Sequence, residues 1–140
     1  MAVWSPWAAL AESEIDLVIL PRAHHLPTPG AYLPDRNTVV MSSGLSSAMQ
    51  RSVLTEELAH AELGHRPHAD PMETARMELR ARRLAAQRLV PLDLLAQALR
   101  GCTHWHEVAE RLDVDEQLLR LRVHELDAQD RTDLARGVFG

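Results

Sequence analysis

Apolar residues along this chain follow two different rhythms, and the change comes near Ser47. Before it, Ile15-Asp16-Leu17-Val18-Ile19-Leu20 is a β-rich run stopped by Pro21. Gly30-Ala31-Tyr32-Leu33 and Thr38-Val39-Val40-Met41 flank the turn-rich tetrapeptide Pro34-Asp35-Arg36-Asn37, which predicts a β-hairpin. Residues 1–14 read as a short amphipathic helix carrying Trp4 and Trp7, and His24 to Pro29 as a loop. From Ser47 the period is helical. Ser47-x-x-Gln50 fits a capping box, Leu54, Leu58 and Ala61 recur at i, i+4, i+7 as a core face, and Gly64 is a stop signal. Asp70-Pro71-Met72-Glu73 opens the next helix with an N-cap Asp, a Pro at the first position and a Glu at the third. That helix should run to about Val90, before Pro91. Further helices are expected over residues 92–100, around Trp105, Val108, Ala109 and Leu112, and around Leu119, Val123 and Leu126. The polar tail after Asp127 is expected to fray. The prediction is one α+β domain over residues 1–140: mainly helical, a small N-terminal antiparallel β-sheet packed on about five helices. Its parts would be a site-bearing helix at 45–65, a second helix at 71–90 and a helical remainder at 91–127.

Composition narrows the function classes. A chain of 140 residues, 46% of them apolar, can bury a real core. The net charge of −5 argues against non-specific binding to nucleic acid or to an anionic membrane, since both need a basic surface. All 15 basic residues are Arg, which fits a GC-rich genome. The single Cys102 permits no internal disulfide, so a reducing, cytoplasmic setting is expected. The first basic residue is Arg22, so a signal peptide with a basic start is not expected, and no apolar run approaches a membrane span.

The chemistry concentrates in Thr55-Glu56-Glu57-Leu58-Ala59-His60-Ala61-Glu62-Leu63-Gly64-His65. This reads like the zinc-peptidase helix H-E-x-x-H with Glu56 in place of the first histidine. At about 100° per residue, Glu56 and His60 stack one turn apart on one face and Glu57 lies about 60° to the side. Two ligands a turn apart beside a carboxylate is the arrangement zinc hydrolases use: the pair grips the ion and the neighbouring Glu takes a proton from its water. Glu78, on the next helix, is the best candidate for a third ligand, and the small Ala81 and Ala85 would let that helix approach. E-E-x-x-H by itself says little, since Glu-rich helices with a His are common.

Several motifs in order make the case more specific. Gly30-Ala31-Tyr32-Leu33-Pro34 with Thr38-Val39-Val40-Met41 looks like the hairpin of the ImmA/IrrE metallopeptidases. Arg51 to His60 resembles that family's R-x-x-L-A-H-E-L-x-H, Leu63-Gly64-His65 its L-G-H, and Glu78 to Pro91 its E-x-x-A-[ND]-x-F-A-x-x-L-L-M-P. The resemblance implies a zincin-like fold and a zinc-type metallo-endopeptidase that cleaves a helix-turn-helix transcriptional repressor, switching on genes of mobile elements or stress responses. It implies His60 and Glu78 as metal ligands, Glu56 at the first-ligand position, and Glu57 as catalytic base.

The chain departs from the pattern at Glu56, at Arg82 in place of Asn or Asp, and at Leu84 in place of Phe. A carboxylate can bind Zn²⁺, but Glu56 with Glu78 would neutralise the ion, leave its water less acidic, and tilt the choice toward Mn²⁺ or Fe²⁺. Without a cation, three crowded carboxyls should have raised pKa values. His65 is another candidate ligand, though a structural role is the simpler reading. Tyr32 could sit at the cleft edge or merely pack the hairpin. His24, His25, His68, His104, His106 and His124 read as solvated side chains, and Trp4, Trp7 and Trp105 as core anchors. Two rival functions stand beside the enzyme. One is a catalytically degenerate copy that binds a repressor without cutting it. The other is a helix-turn-helix DNA reader over residues 107–126. Residues 103–126 carry three arginines against six carboxylates, a charge of −3, so a nucleic-acid partner is not expected.

Overall fold

A computed structural model describes residues 3–21 and 26–140 of the chain. His24 and His25 lie outside these residues. The described elements are α1 (Pro6–Glu12), β1 (Asp16–Leu20), β2 (Gly30–Leu33), β3 (Thr38–Ser42), α2 (Ser47–Glu62), α3 (Pro71–Leu89), α4 (Leu92–Leu99), α5 (Trp105–Leu112), α6 (Glu116–His124) and α7 (Ala128–Phe139). The class is α+β and mainly helical, as expected.

The hairpin forms where its turn chemistry placed it. β2 and β3 pair antiparallel, Gly30 opposite Met41 and Leu33 opposite Thr38. Asn37 takes the left-handed conformation at the turn (φ 45°), a place where Asn is tolerated. The sheet as a whole is mixed, which corrects the antiparallel expectation. β1 joins β3 in parallel, giving the order β1-β3-β2. A parallel partner arrives by a long connection and leaves no hairpin signature to read.

Helix α2 lies across the sheet. Val39, Leu54 and Leu58 are buried between them, with Ile15, Leu17 and Tyr32 packed alongside. The cap of α2 is Ser46, whose Oγ accepts from the Met49 N–H, one residue before the predicted capping box. Ser47 instead donates to Asp113 Oδ2 on the far side of the chain. Asp70 caps α3 as predicted, accepting from the Met72 N–H. α3 runs to Leu89, and Ala81 and Ala85 are fully buried. The second core gathers α3 to α6 around Leu95, Val108, Leu118 and Leu119, with Trp4 and Trp105 against it. Trp7 is exposed, which corrects its reading as a core anchor.

The tail does not fray. Asp127 and Asp130 form a reciprocal capping box that starts α7. α7 packs on α4, and Arg100 donates to the Gly137 carbonyl. The docking is long-range, so the polar local composition concealed it.

Besides Ser47, two further residues of the site-bearing helix, Arg51 and Ser52, tie it to the C-terminal part. Arg51 Nη1 donates to the carbonyls of Leu112 and Asp113, and Ser52 Oγ accepts from the Asp115 N–H. The arginine of the family-like motif therefore satisfies the end of α5 rather than touching the cleft. On the other side, β2 approaches α2 at Gly30. A Cβ there would collide with Val53 Cγ1 and stand 3.2 Å from the Val40 carbonyl oxygen. Gly30→Ala should therefore cost about 1–3 kcal/mol of overpacking. A lower urea midpoint at unchanged slope would register it, and an unchanged midpoint would contradict it.

Candidate metal centre

Helical periodicity put Glu56, Glu57 and His60 on the side of α2 that faces away from Leu54 and Leu58. The fold turns that side into a cleft of about 410 Å³, walled by Gly30 to Tyr32 of β2, by Met77, Glu78 and Arg82 of α3, and by Asp115. Glu56, Glu57, His60 and Glu78 all line it, and so does His65.

His60 Nε2 stands 3.4 Å from Glu78 Oε1. Two donors bound to one tetrahedral ion at about 2.0–2.1 Å are separated by about 3.3–3.4 Å, so this distance is that of a ligand–ligand edge. The other nitrogen of the imidazole is also engaged. His60 Nδ1 lies 2.9 Å from His65 Nδ1, and the rings meet edge to face at 61°. His65 thus occupies the opposite side of His60 from Glu78.

The carboxyls behave as a crowded, partly dehydrated group. Burial pushes Glu57 up to about 8, with the Glu78 and Glu56 charges adding to the rise and a hydrogen bond from the Tyr32 backbone N–H opposing it. Burial likewise pushes Glu56 up to about 7, against the pull of Arg82 and with Glu78 and Asp115 reinforcing it. Burial lowers His65 below the ordinary histidine range, helped by its neighbours His60 and Arg80. A site that holds acids in their neutral form is one a cation would relieve.

Glu56 marks where the set is incomplete. Its Oε1 faces Arg82 Nε at 3.9 Å. Among the described residues, no group of three or more His, Cys, Asp or Glu is arranged to hold a metal ion. His60 and Glu78 fit one by their separation, and Glu56 sits in the same cleft turned toward the Arg82 guanidinium. The two departures noted in the sequence, Glu56 and Arg82, therefore face each other. Each was legible alone, but their meeting depends on how α3 lies on α2.

Residues 14–124 match the family Peptidase M78, the IrrE N-terminal-like domain. The chain belongs to that family. Its membership bears out the ImmA/IrrE resemblance carried by the hairpin, the Glu56 helix and the Glu78 helix. No curated protein and no solved structure matches the chain. The match ends at the close of α6, so α7 is outside it.

Other candidates resolve more simply in this IrrE-like fold. Tyr32 lies at the cleft edge and also packs against Val39, Leu54 and Leu58, with its hydroxyl donated to Asn37 Oδ1 at 2.8 Å, away from any oxyanion role. His106 pairs with Glu110 on an exposed face, and His68 accepts from the Asp70 N–H. No helix among the described residues is long and apolar enough to cross a membrane. Asp115 was missed as a neighbour of Glu56. It lies in the turn between α5 and α6, far in sequence from α2, and so gave no local signal.

Proposed function

We propose that this IrrE-like protein is a metal-dependent endopeptidase of the cytoplasm that cleaves a helix-turn-helix transcriptional repressor. The observation that carries the reading is the 3.4 Å separation of His60 Nε2 and Glu78 Oε1 on two different helices, beside a carboxyl held up to about 8. His60 and Glu78 would hold the ion, and Glu56 would complete the set by exchanging Arg82 for the cation. Zn²⁺ fits the imidazole, while Mn²⁺ or Fe²⁺ suits the oxygen-rich remainder. A bound cation would polarise the scissile carbonyl and acidify a water.

The chain's own groups supply the rest. Glu57 is the proton carrier. Without a cation, burial holds its carboxyl up to about 8, and a cation held by its neighbours would lower it toward the range in which a carboxylate accepts a proton from water and returns it. The Tyr32 N–H fixes that carboxyl at the wall formed by β2. The partly buried position of Glu57 keeps bulk water from competing for the proton.

Metal content tests the reading. Elemental analysis of the purified protein should find bound metal, and His60→Ala or Glu78→Ala should remove it, while His106→Ala on the exposed face of α5 should not. Protein that stays metal-free after incubation with Zn²⁺, Mn²⁺ or Fe²⁺ would end the enzyme proposal. A second reading has its own support in the Glu56–Arg82 contact and the lack of a complete donor set among the described residues: a degenerate relative that binds the repressor without cutting it. Repressor captured intact by metal-free protein would favour that reading.

A further inference from the structure

The C-terminus of α2 is a Schellman cap. Gly64 takes a φ of +68°, its N–H donates to the Ala61 carbonyl, and the His65 N–H donates to the His60 carbonyl at 3.0 Å. In that motif the residue after the glycine lies over the third residue from the helix end, and the contact is commonly apolar. Here the two residues are His65 and His60, and the contact is a 2.9 Å approach of their Nδ1 atoms. The backbone turn therefore fixes which nitrogen of His60 is covered and which faces Glu78.

One nitrogen of that pair must be protonated and the other must accept. An imidazole that gives its Nε2 lone pair to a cation carries its proton on Nδ1, and metal-bound histidines commonly donate that N–H to an acceptor. The acceptor available here is His65 Nδ1. His65 Nε2, by contrast, is buried with no hydrogen-bond partner among the described residues, so this ring's polar contact there is the one to His60. We infer that His65 is a positioning residue for the cleft: delivered by the Gly64 turn, it accepts from His60 Nδ1–H and aims His60 Nε2 at the edge shared with Glu78. The inference rests on the metal-centre reading above.

The test compares Zn²⁺ affinity of the full chain with that of His65→Ala and His65→Asn by calorimetry at neutral pH. It also records the His60 imidazole N–H resonance in the Zn²⁺-loaded proteins. His65→Ala should bind Zn²⁺ about 10–100-fold more weakly. Its His60 N–H signal should be lost to solvent exchange. His65→Asn, whose amide oxygen can still accept, should retain most of the affinity and the signal. Metal-free melting temperatures should be alike in all three. Wild-type affinity in His65→Ala would overturn the positioning role and leave the metal centre standing. Equal loss in both variants with the N–H signal intact would also overturn it. A wild-type chain that takes up no Zn²⁺ would instead overturn the metal centre, and the role of His65 with it.

Discussion

On the proposed peptidase reading, Glu57→Gln should lower cleavage of a repressor substrate about 10²–10⁴-fold, the usual contribution of a positioned proton carrier. The amide matches the carboxyl in size and can still receive the Tyr32 N–H, so fold and metal content should be kept. It cannot accept a proton from a water. Stability should move the other way. At alkaline pH the metal-free wild type must ionise a carboxyl that burial, Glu78 and Glu56 all hold up to about 8. The variant avoids that cost and should melt higher. A mutant that is slow but more stable separates a chemical role from damage to the fold. Unimpaired cleavage by Glu57→Gln would remove Glu57 from the mechanism.

Metal-free protein should lose stability as pH rises from about 4.5 to 8, and a saturating divalent cation should reverse the trend. Glu56 and Glu57 stay protonated up to about 7 and about 8 in the fold, against 4.5 when exposed. Across that window the folded chain binds more protons than the unfolded one, so stability falls with pH. Raising a folded-state pKa by one costs about 1.4 kcal/mol once the group ionises, and the two carboxyls repel each other as they do so. Together the two carboxyls should cost on the order of 5–8 kcal/mol, the lower figure counting their mutual repulsion only once. A cation that binds only the folded form adds stability by mass action, most at high pH where its ligands are ionised. Melting temperatures in chelator across this range, repeated with Zn²⁺ and with Glu57→Gln, measure all three effects. A flat or rising profile in chelator would mean that the carboxyls are solvated and do not form a cleft.

The elements that carry the site were legible because their signals are local. Asp70-Pro71 announces the start of α3. The spacing of Leu54 and Leu58 fixes the buried side of α2 and, by subtraction, the side that shows Glu56, Glu57 and His60. Ala81 and Ala85 read as a place of close approach and are fully buried. The parallel seat of β1 and the docking of α7 on α4 were not legible, because both come from partners distant in sequence.

The same division holds inside the cleft. A helix of known phase sets the angle at which a side chain leaves its axis, and Glu56, Glu57 and His60 needed nothing more to be placed on one side of α2. Distances between helices follow from how cores distant in sequence pack. The tertiary structure alone brought Glu78 to 3.4 Å from His60 and turned Glu56 toward Arg82. The return of His65 onto His60 is local instead, made by the turn at Gly64 that the sequence already showed as a stop signal. The sequence therefore determined which residues could do chemistry together, and packing decided which of them touch.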